Sequence, residues 1–217
     1  MARLAPEGYP FIAGFGLLTF VVAFFTGPLL AVVPFVPTLF MIYFFRDPER
    51  DVPVAEGAFL APADGRVMQI RDTRESEYLN SDVREISIFM SPLNVHVNRA
   101  PCDGKVKAVK HNKGKYMAAY REDSSLKNEN IAMVLETGYG DILVRQVAGF
   151  LARRAVCRKR EGDTVRSGER YGIIKFSSRL DTYLPKDVEI KVKLGEKVRA
   201  GETVIARIQR GEQVAKG

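Results

Sequence analysis

The chain of 217 residues is 46% apolar and 27% charged, which excludes wholesale disorder and suits one compact domain with an appendage rather than two full catalytic domains. Its net charge of +7 is unevenly placed: Arg3 and Glu7 are the only charged residues before Arg46, so the excess follows the apolar segment, where a basic domain beside a bilayer is drawn to anionic lipid. Nucleic acid is set aside because no Arg-rich arm, zinc-ligand spacing or recognition helix accompanies the charge, and two widely separated cysteines, Cys102 and Cys157, supply neither a disulfide framework nor a metal site.

From Phe11 to Thr26 the chain is almost wholly apolar. Gly27-Pro28 breaks the run, and a second apolar stretch from Leu29 to Phe45 contains Pro34 and Pro37. Each half falls short of the roughly 20 residues of a straight spanning helix. The second run, and the lack of a small-residue cleavage site after the first, argue against a removed signal peptide. Residues 1–45 are therefore expected to form a membrane anchor of two short apolar helices or a re-entrant hairpin, which returns the chain to the side it left. Retention of positive charge then places residues 46–217 on the cytoplasmic side of the cell membrane.

After Arg46, short segments of β character alternate with Gly, Pro and Asn. Glu85–Met90, Ile131–Thr137, Asp141–Val147 and Val188–Leu194 are the clearest strands, and the middle two flank Gly138-Tyr139-Gly140 as a hairpin. Helical periodicity is confined to one short candidate, Lys115–Tyr120. A pattern G-x-x-V-R-x-G-E opens at Gly162 and again at Gly195, each copy reading as a turn, a short strand, a Gly turn and a longer strand. The expected fold class is mainly β (α+β): a small barrel or sandwich with an internal pseudo-repeat, similar to the biotinyl and lipoyl carrier folds, plus the N-terminal apolar helices. Neither copy holds a lysine in a Met-Lys or Asp-Lys hairpin, so the repeat speaks to architecture and not to a carrier function.

The stretch Tyr171–Pro185, YGIIKFSSRLDTYLP, sets Ser177 and Ser178 between an apolar run and the charged Arg179 and Asp181, as a strand entering a tight turn. A Ser-Ser pair alone is an ordinary loop element. Upstream, however, stand Asp64 in APADG and His96 in SPLNVHVNRAP, and Ser, His and Asp are the set that activates a hydroxyl. A catalytic zinc centre is not supported, since His96 and His111 are the only histidines and such a site takes three protein ligands.

FFRDPER (Phe44–Arg50), APADGRV (Ala61–Val67), FMSPLNVHVNRAP (Phe89–Pro101), QVAGFLARRAVC (Gln146–Cys157) and GERYGIIKFSSRLDTYLP (Gly168–Pro185) follow one another along nearly the whole chain. Together they resemble the short form of the phosphatidylserine decarboxylase family, a group of pyruvoyl-dependent, self-processing proenzymes. The resemblance implies that the Ser178 hydroxyl attacks the carbonyl of Ser177, and that an N-to-O acyl shift and elimination cut the chain between 177 and 178. Ser178 then becomes a covalent pyruvoyl cofactor. Its carbonyl would condense with the amine of phosphatidylserine as a Schiff base and draw off the electrons left by loss of carbon dioxide, giving phosphatidylethanolamine. The same resemblance implies His96 as base in self-cleavage and later proton donor, Asp64 as the group orienting the imidazole, no metal, a homodimer, and two chains per protomer after processing. Lys175, Arg179, Arg153 and Arg154 are candidate cations for the lipid phosphate.

Two departures from the family pattern matter. Arg99 stands where many relatives carry a second histidine, which leaves the proton handling to His96. Ser177 stands where glycine is usual; if that position needs a positive φ, its Cβ costs on the order of 1 kcal/mol or more, and maturation is expected to be slowed or blocked, the alternative being that serine is natural here and cleavage proceeds. The competing expectation is a non-catalytic, membrane-tethered adaptor on a lipoyl-like barrel. It accounts for the anchor and the repeat, but not for Asp64, His96 and the serine pair together.

Overall fold

The computed structural model describes residues 3–114, 128–149, 154–176 and 178–208. The helix expected at Lys115–Tyr120, and the residues Ser177 and Arg153, lie outside these segments. Strand β1 (Arg3–Leu4) is followed by helices α1 (Tyr9–Thr26) and α2 (Pro28–Phe44), and then by β2 (Arg46–Asp47). Gly27, with φ of 84°, lets the chain reverse between the helices. Pairing of Leu4 with Arg46 ties the two ends of the apolar segment together, and Thr19 Oγ1 meets Thr38 Oγ1 at 3.3 Å between the helices. The segment is thus a hairpin. Residues Pro6–Thr26 are long and apolar enough to cross a membrane, whereas α2 is shorter at 17 residues. Phe24, Phe25 and Leu29 are each more than 70% exposed, an apolar surface that the other described residues do not cover.

The remaining strands are β3 (Ala58–Leu60), β4 (Gly65–Glu75), β5 (Ser81–Met90), β6 (Val97–Arg99), β7 (Gly104–Asn112), β8 (Asn130–Thr137), β9 (Gly140–Ala148) and β10 (Ala155–Cys157). They are followed by β11 (Thr164–Val165), β12 (Arg170–Ile174), β13 (Ser178–Pro185), β14 (Val188–Ile190), β15 (Lys197–Val198) and β16 (Val204–Ile208). Eight of them form an antiparallel sheet in the order β11-β7-β8-β9-β13-β5-β4-β15, curled into a half-barrel. Two three-stranded sheets, β10-β12-β6 and β14-β16-β3, complete the domain. The fold is mainly β.

The expected strands Glu85–Met90, Ile131–Thr137 and Asp141–Val147 lie inside β5, β8 and β9, and the hairpin at Gly138–Gly140 joins the last two. The fourth, expected to run to Leu194, ends at Ile190; Lys193 instead donates its backbone N–H to the Glu196 carboxylate at 2.9 Å, closing a turn. The two G-x-x-V-R-x-G-E segments supply β11 with β12 and β15 with β16. β11 and β15 occupy the two edges of the large sheet, and β12 and β16 are the middle strands of the small ones.

Strand alternation sorts β13 into two faces. Leu180 and Leu184 join Ile86, Ile88, Ile142 and Val144 in the main core, closed from the other side by Phe59, Tyr171, Ile174 and Ile205. Arg179, Asp181 and Tyr183 point the opposite way, yet they too are buried. Arg179 bonds to both Asp181 and Glu85, and Glu85 also accepts from Arg71 at 2.7 Å. Charges so deeply buried are tolerated because they neutralise one another.

Strand β4 approaches β5 closely at Gly65, where a Cβ would overlap the carbonyl oxygen of Phe89 and crowd Ile88. Backbone cannot step aside as a flexible side chain would. Gly65→Ala is expected to destabilise the domain by about 3 kcal/mol or more, read as a lowered denaturation midpoint in an uncleavable Ser178→Ala background.

Candidate active site

Ser178 opens β13, where it faces Met90 of β5 on one side and Ala148 of β9 on the other. It is fully buried, and its Oγ donates to the Met90 Sδ at 3.3 Å. A thioether is a weak acceptor, so the hydroxyl is held in place without being tied up. The same sulfur accepts a long contact of 3.9 Å from the Asn98 amide, whose Oδ1 in turn accepts from Gln146 Nε2 at 2.8 Å. Both amides are buried.

His96 enters just before β6, at the end of the Ser91–Val95 connection from β5. Its backbone carbonyl accepts from the Ile174 N–H at 3.3 Å, which fixes it to the end of β12. The ring Nδ1 lies 2.9 Å from the Asn94 carbonyl oxygen. That oxygen can only accept, so Nδ1 carries the hydrogen and Nε2 the lone pair. Nε2 is buried with no hydrogen-bond partner among the described residues. The Phe44 ring lies against the imidazole, with centroids 4.2 Å apart. Burial pushes the imidazole down to about 4 from its usual 6.5, the Asn94 contact opposing and the charge of Arg46 assisting. At neutral pH the group is an uncharged base.

Asp64 sits just before β4, and the register Arg66↔Phe89 sets it at the same end of the sheet as Met90 and Ser178. Its carboxylate accepts from Arg50 at 2.8 Å and from the Ala200 backbone N–H at 2.8 Å. The imidazole is oriented by Asn94, and the carboxylate by Arg50. Thus the topology gathers Ser178 and Asp64 at one sheet end, while the hydrogen bonds of Asp64 and His96 run to different partners.

A positive φ occurs at Phe176, at 58°, two residues before Ser178. For a bulky residue that conformation costs on the order of 1 kcal/mol or more. It is held by packing: the Phe176 ring stacks on Phe44 at 4.7 Å and meets Phe11 at 6.2 Å. Of the candidate cations, Arg179 is committed to Glu85 and Asp181. Arg154 is exposed, and Lys175 lies half-buried with its Nζ 5.5 Å from the Phe11 ring centroid.

Met90, Asn94, Asn98 and Gln146 all fall inside recognised motifs, but no spacing in the sequence says that they meet. Asn94 alone leaves a trace, since a Ser-Pro-Leu-Asn turn invites side-chain bonding; its Oδ1 accepts from the Ser91 N–H and hydroxyl at 2.9 and 2.8 Å. A surface cleft of about 640 Å³ is lined by residues including Val54, Cys102, Tyr139 and Ser167. It lies by the β8–β9 turn, at the opposite end of β9 from Ala148, and so away from Ser178.

The sequence model described as phosphatidylserine decarboxylase matches residues 38–206. The chain belongs to the phosphatidylserine decarboxylase family. A phosphatidylserine decarboxylase proenzyme of Geotalea uraniireducens is 46% identical over 203 residues, covering 93% of this chain and 95% of the relative. Proenzymes of the same description from Syntrophus aciditrophicus and Citrifermentans bemidjiense are 44% and 47% identical, each over more than 90% of both chains.

In this family member the depressed imidazole has a consequence for stability. Between pH 4 and 6.5 the unfolded chain binds a proton at His96 that the native state does not, so stability rises with pH across that window and is lost as pH falls through it. In the Ser178→Ala background, urea midpoints are expected to fall by the equivalent of about 3 kcal/mol over this range, and His96→Gln should remove that portion of the slope.

Proposed function

We propose that this chain is the precursor of a pyruvoyl-dependent phosphatidylserine decarboxylase, which cuts itself between 177 and 178 and then converts phosphatidylserine to phosphatidylethanolamine and carbon dioxide. One observation carries the reading: a buried hydroxyl with only a weak acceptor and a buried neutral imidazole with a free Nε2, in a member of this family. In self-cleavage, the Ser178 Oγ attacks the carbonyl carbon of residue 177. His96 Nε2 takes the hydroxyl proton and returns it to the Ser178 nitrogen as the C–N bond breaks, leaving an ester. Elimination, with loss of the Ser178 Cα proton, releases a carboxylate at 177. The remnant at 178 tautomerises and gains water as ammonia leaves, which yields the pyruvoyl group.

That group supplies an electrophilic carbonyl able to take up the electron pair released with carbon dioxide. Ser178 suits its formation because it stands at a strand start, paired on both sides and shielded from water. His96 holds the proton later delivered to carbon. Asp64 acts on the site through Arg50 and the Ala200 turn; a direct contact with the Nδ1–H of the imidazole would require that hydrogen to leave the Asn94 carbonyl. Among the described residues, Lys175 and Arg154 are the candidate cations left to meet a lipid phosphate.

Residues 1–45 serve as the membrane anchor and 46–217 as the catalytic domain, on the cytoplasmic side of the cell membrane, in a homodimer with two chains per protomer after cleavage. We also read the two repeat segments as pseudo-symmetric parts of a lipoyl-like architecture. In support, Gly162 and Gly195 donate to Val106 and Val67 at 2.9 and 2.7 Å, and Gly168 and Gly201 donate to Ala100 and Ala61 at 2.8 and 2.9 Å. A non-catalytic adaptor is not favoured, because it gives no reason to bury an imidazole whose Nε2 has no hydrogen-bond partner among the described residues.

Denaturing intact-mass measurement of the purified chain is expected to give two fragments, the smaller with an N-terminal pyruvoyl, and a single full-length mass for Ser178→Ala. Ser177→Gly should mature faster than the parent chain. If the parent and Ser177→Gly both stayed whole while folded, the reading would be lost.

A further inference from the structure

The last residue of α2, Phe44, is fully buried although it ends a helix whose other large side chains are mostly exposed. Its ring sits between two others: the His96 imidazole at 4.2 Å and the Phe176 ring at 4.7 Å, stacked at 28°. Hydrogen bonds on both sides of it clamp the helix end to the connection that carries His96. Tyr43 Oη and Arg46 both donate to the Leu93 carbonyl oxygen, at 3.2 and 2.8 Å. Phe45 is fixed as well, its carbonyl accepting from the Ala5 N–H at 2.8 Å. Phe44 therefore touches the base and the residue two positions before Ser178 at once, and it belongs to the apolar hairpin rather than to the β domain.

From this geometry we infer that Phe44 is a positioning residue for self-cleavage: it holds the His96 ring and the Phe176 backbone in register, so that maturation waits on the seating of the membrane hairpin. The inference rests on the self-cleaving reading given above. An aromatic ring packed against the imidazole excludes water from one side of it and fixes the direction of Nε2. The same ring backs Phe176 in its left-handed conformation, two residues before Ser178. If the hairpin is not seated, both supports are withdrawn together. A base displaced by about 1 Å loses on the order of 100-fold in rate, so the coupling need not involve any large movement.

The test compares Phe44→Leu, which keeps an apolar side chain but removes the ring, with Phe40→Leu. Phe40 contacts Phe44 at 6.1 Å in the same cluster, and no ring contact joins it to His96. Cell-free synthesis followed by gel analysis gives the half-time of cleavage. Phe44→Leu should lengthen it at least about tenfold, with Phe40→Leu within about twofold of the parent chain and both variants folded by circular dichroism. The second readout needs no cleavage: a ¹⁵N titration of His96 in the Ser178→Ala chain, where His111 is the only other imidazole. The groups bearing on the His96 ring are the Asn94 carbonyl, which favours its charged form, and the Arg46 guanidinium, which opposes it. With both unchanged, Phe44→Leu should move the midpoint up toward 6.5 and weaken the Nδ1–H tautomer signature.

An unshifted titration with parent-like cleavage in folded Phe44→Leu would overturn the inference, as would equal slowing by Phe40→Leu, which would mean that general hairpin packing is responsible. Absence of cleavage in the parent and in Ser177→Gly would instead remove the self-processing reading, with the titration still reporting on Phe44 itself.

Discussion

Everything at the site depends on the pairing of β13 between β5 and β9. The ladder runs from Ser178 to Pro185 against β5 and from Ser178 to Tyr183 against β9, so the first residue of the strand is as firmly laddered as its middle. If the chain cuts itself immediately before this residue, as proposed, that is a useful constraint. A newly made chain end normally frays. Here the hydrogen bonds of the strand lie on the C-terminal side of the cut and survive it, which keeps the altered residue where the reaction needs it. The buried Arg179 adds a second hold one residue further on: released from Glu85 and Asp181, it would leave uncompensated charge in the interior, at a cost of about 3–5 kcal/mol. It is a structural rivet, and its commitment explains why a cation next to Ser178 is unsuited to meeting a lipid phosphate.

Around that fixed strand, the polar groups of the site are kept weakly engaged. A serine given a carboxylate or amide oxygen as acceptor would lose freedom to turn toward a carbonyl; Met90 sulfur offers contact without that hold. The imidazole is treated in the same way at Nε2, while Nδ1 is fixed by Asn94. The low basicity that burial imposes on His96 makes it a poor base by Brønsted standards. For the proposed self-cleavage, which each molecule would perform once, nucleophile and carbonyl are neighbours in the chain and proximity would supply much of the rate; in decarboxylation the same low basicity would make a protonated His96 a ready proton donor.

The long alternating strands were legible because β5, β8 and β9 bury one face in a common core, and the period of two survives in the sequence. Val188–Leu194 read longer than it is because its apolar alternation continues into a turn that a Glu196 side chain closes. Motifs singled out Ser178, His96 and Asp64 as candidates, but not the partners that the fold gives them. Asp64 looked free to orient a histidine, since nothing near it in sequence announces Arg50 and Ala200, which reach it only through the fold. The positive φ is likewise invisible beforehand: Phe is a poor choice for it, and at Phe176 aromatic packing from the hairpin overrides the preference. Sequence thus reveals the chemistry-bearing groups, and tertiary contact decides how each is held.

That division has a consequence for timing. A serine next to a peptide carbonyl is present in every copy of the chain from the moment of synthesis, yet premature cleavage would separate β13 from the strands that precede it. The hazard is avoided because no local segment contains the whole site. His96 comes from the connection after β5, Ser178 from the start of β13, the aromatic wall from the end of α2, and the orienting Asn94 from a turn of its own. In the unfolded chain the imidazole is hydrated, its basicity ordinary and its position random with respect to the serine. Only when the β5–β13 and β9–β13 ladders close and the hairpin base locks onto Leu93 are Ser178 and His96 each buried away from water. Contacts so distant in sequence form late, because loop-closure entropy must be overcome first. On the proposed reading, self-cleavage would then report completed folding, and the strand it releases would by that time be held in place by its neighbours.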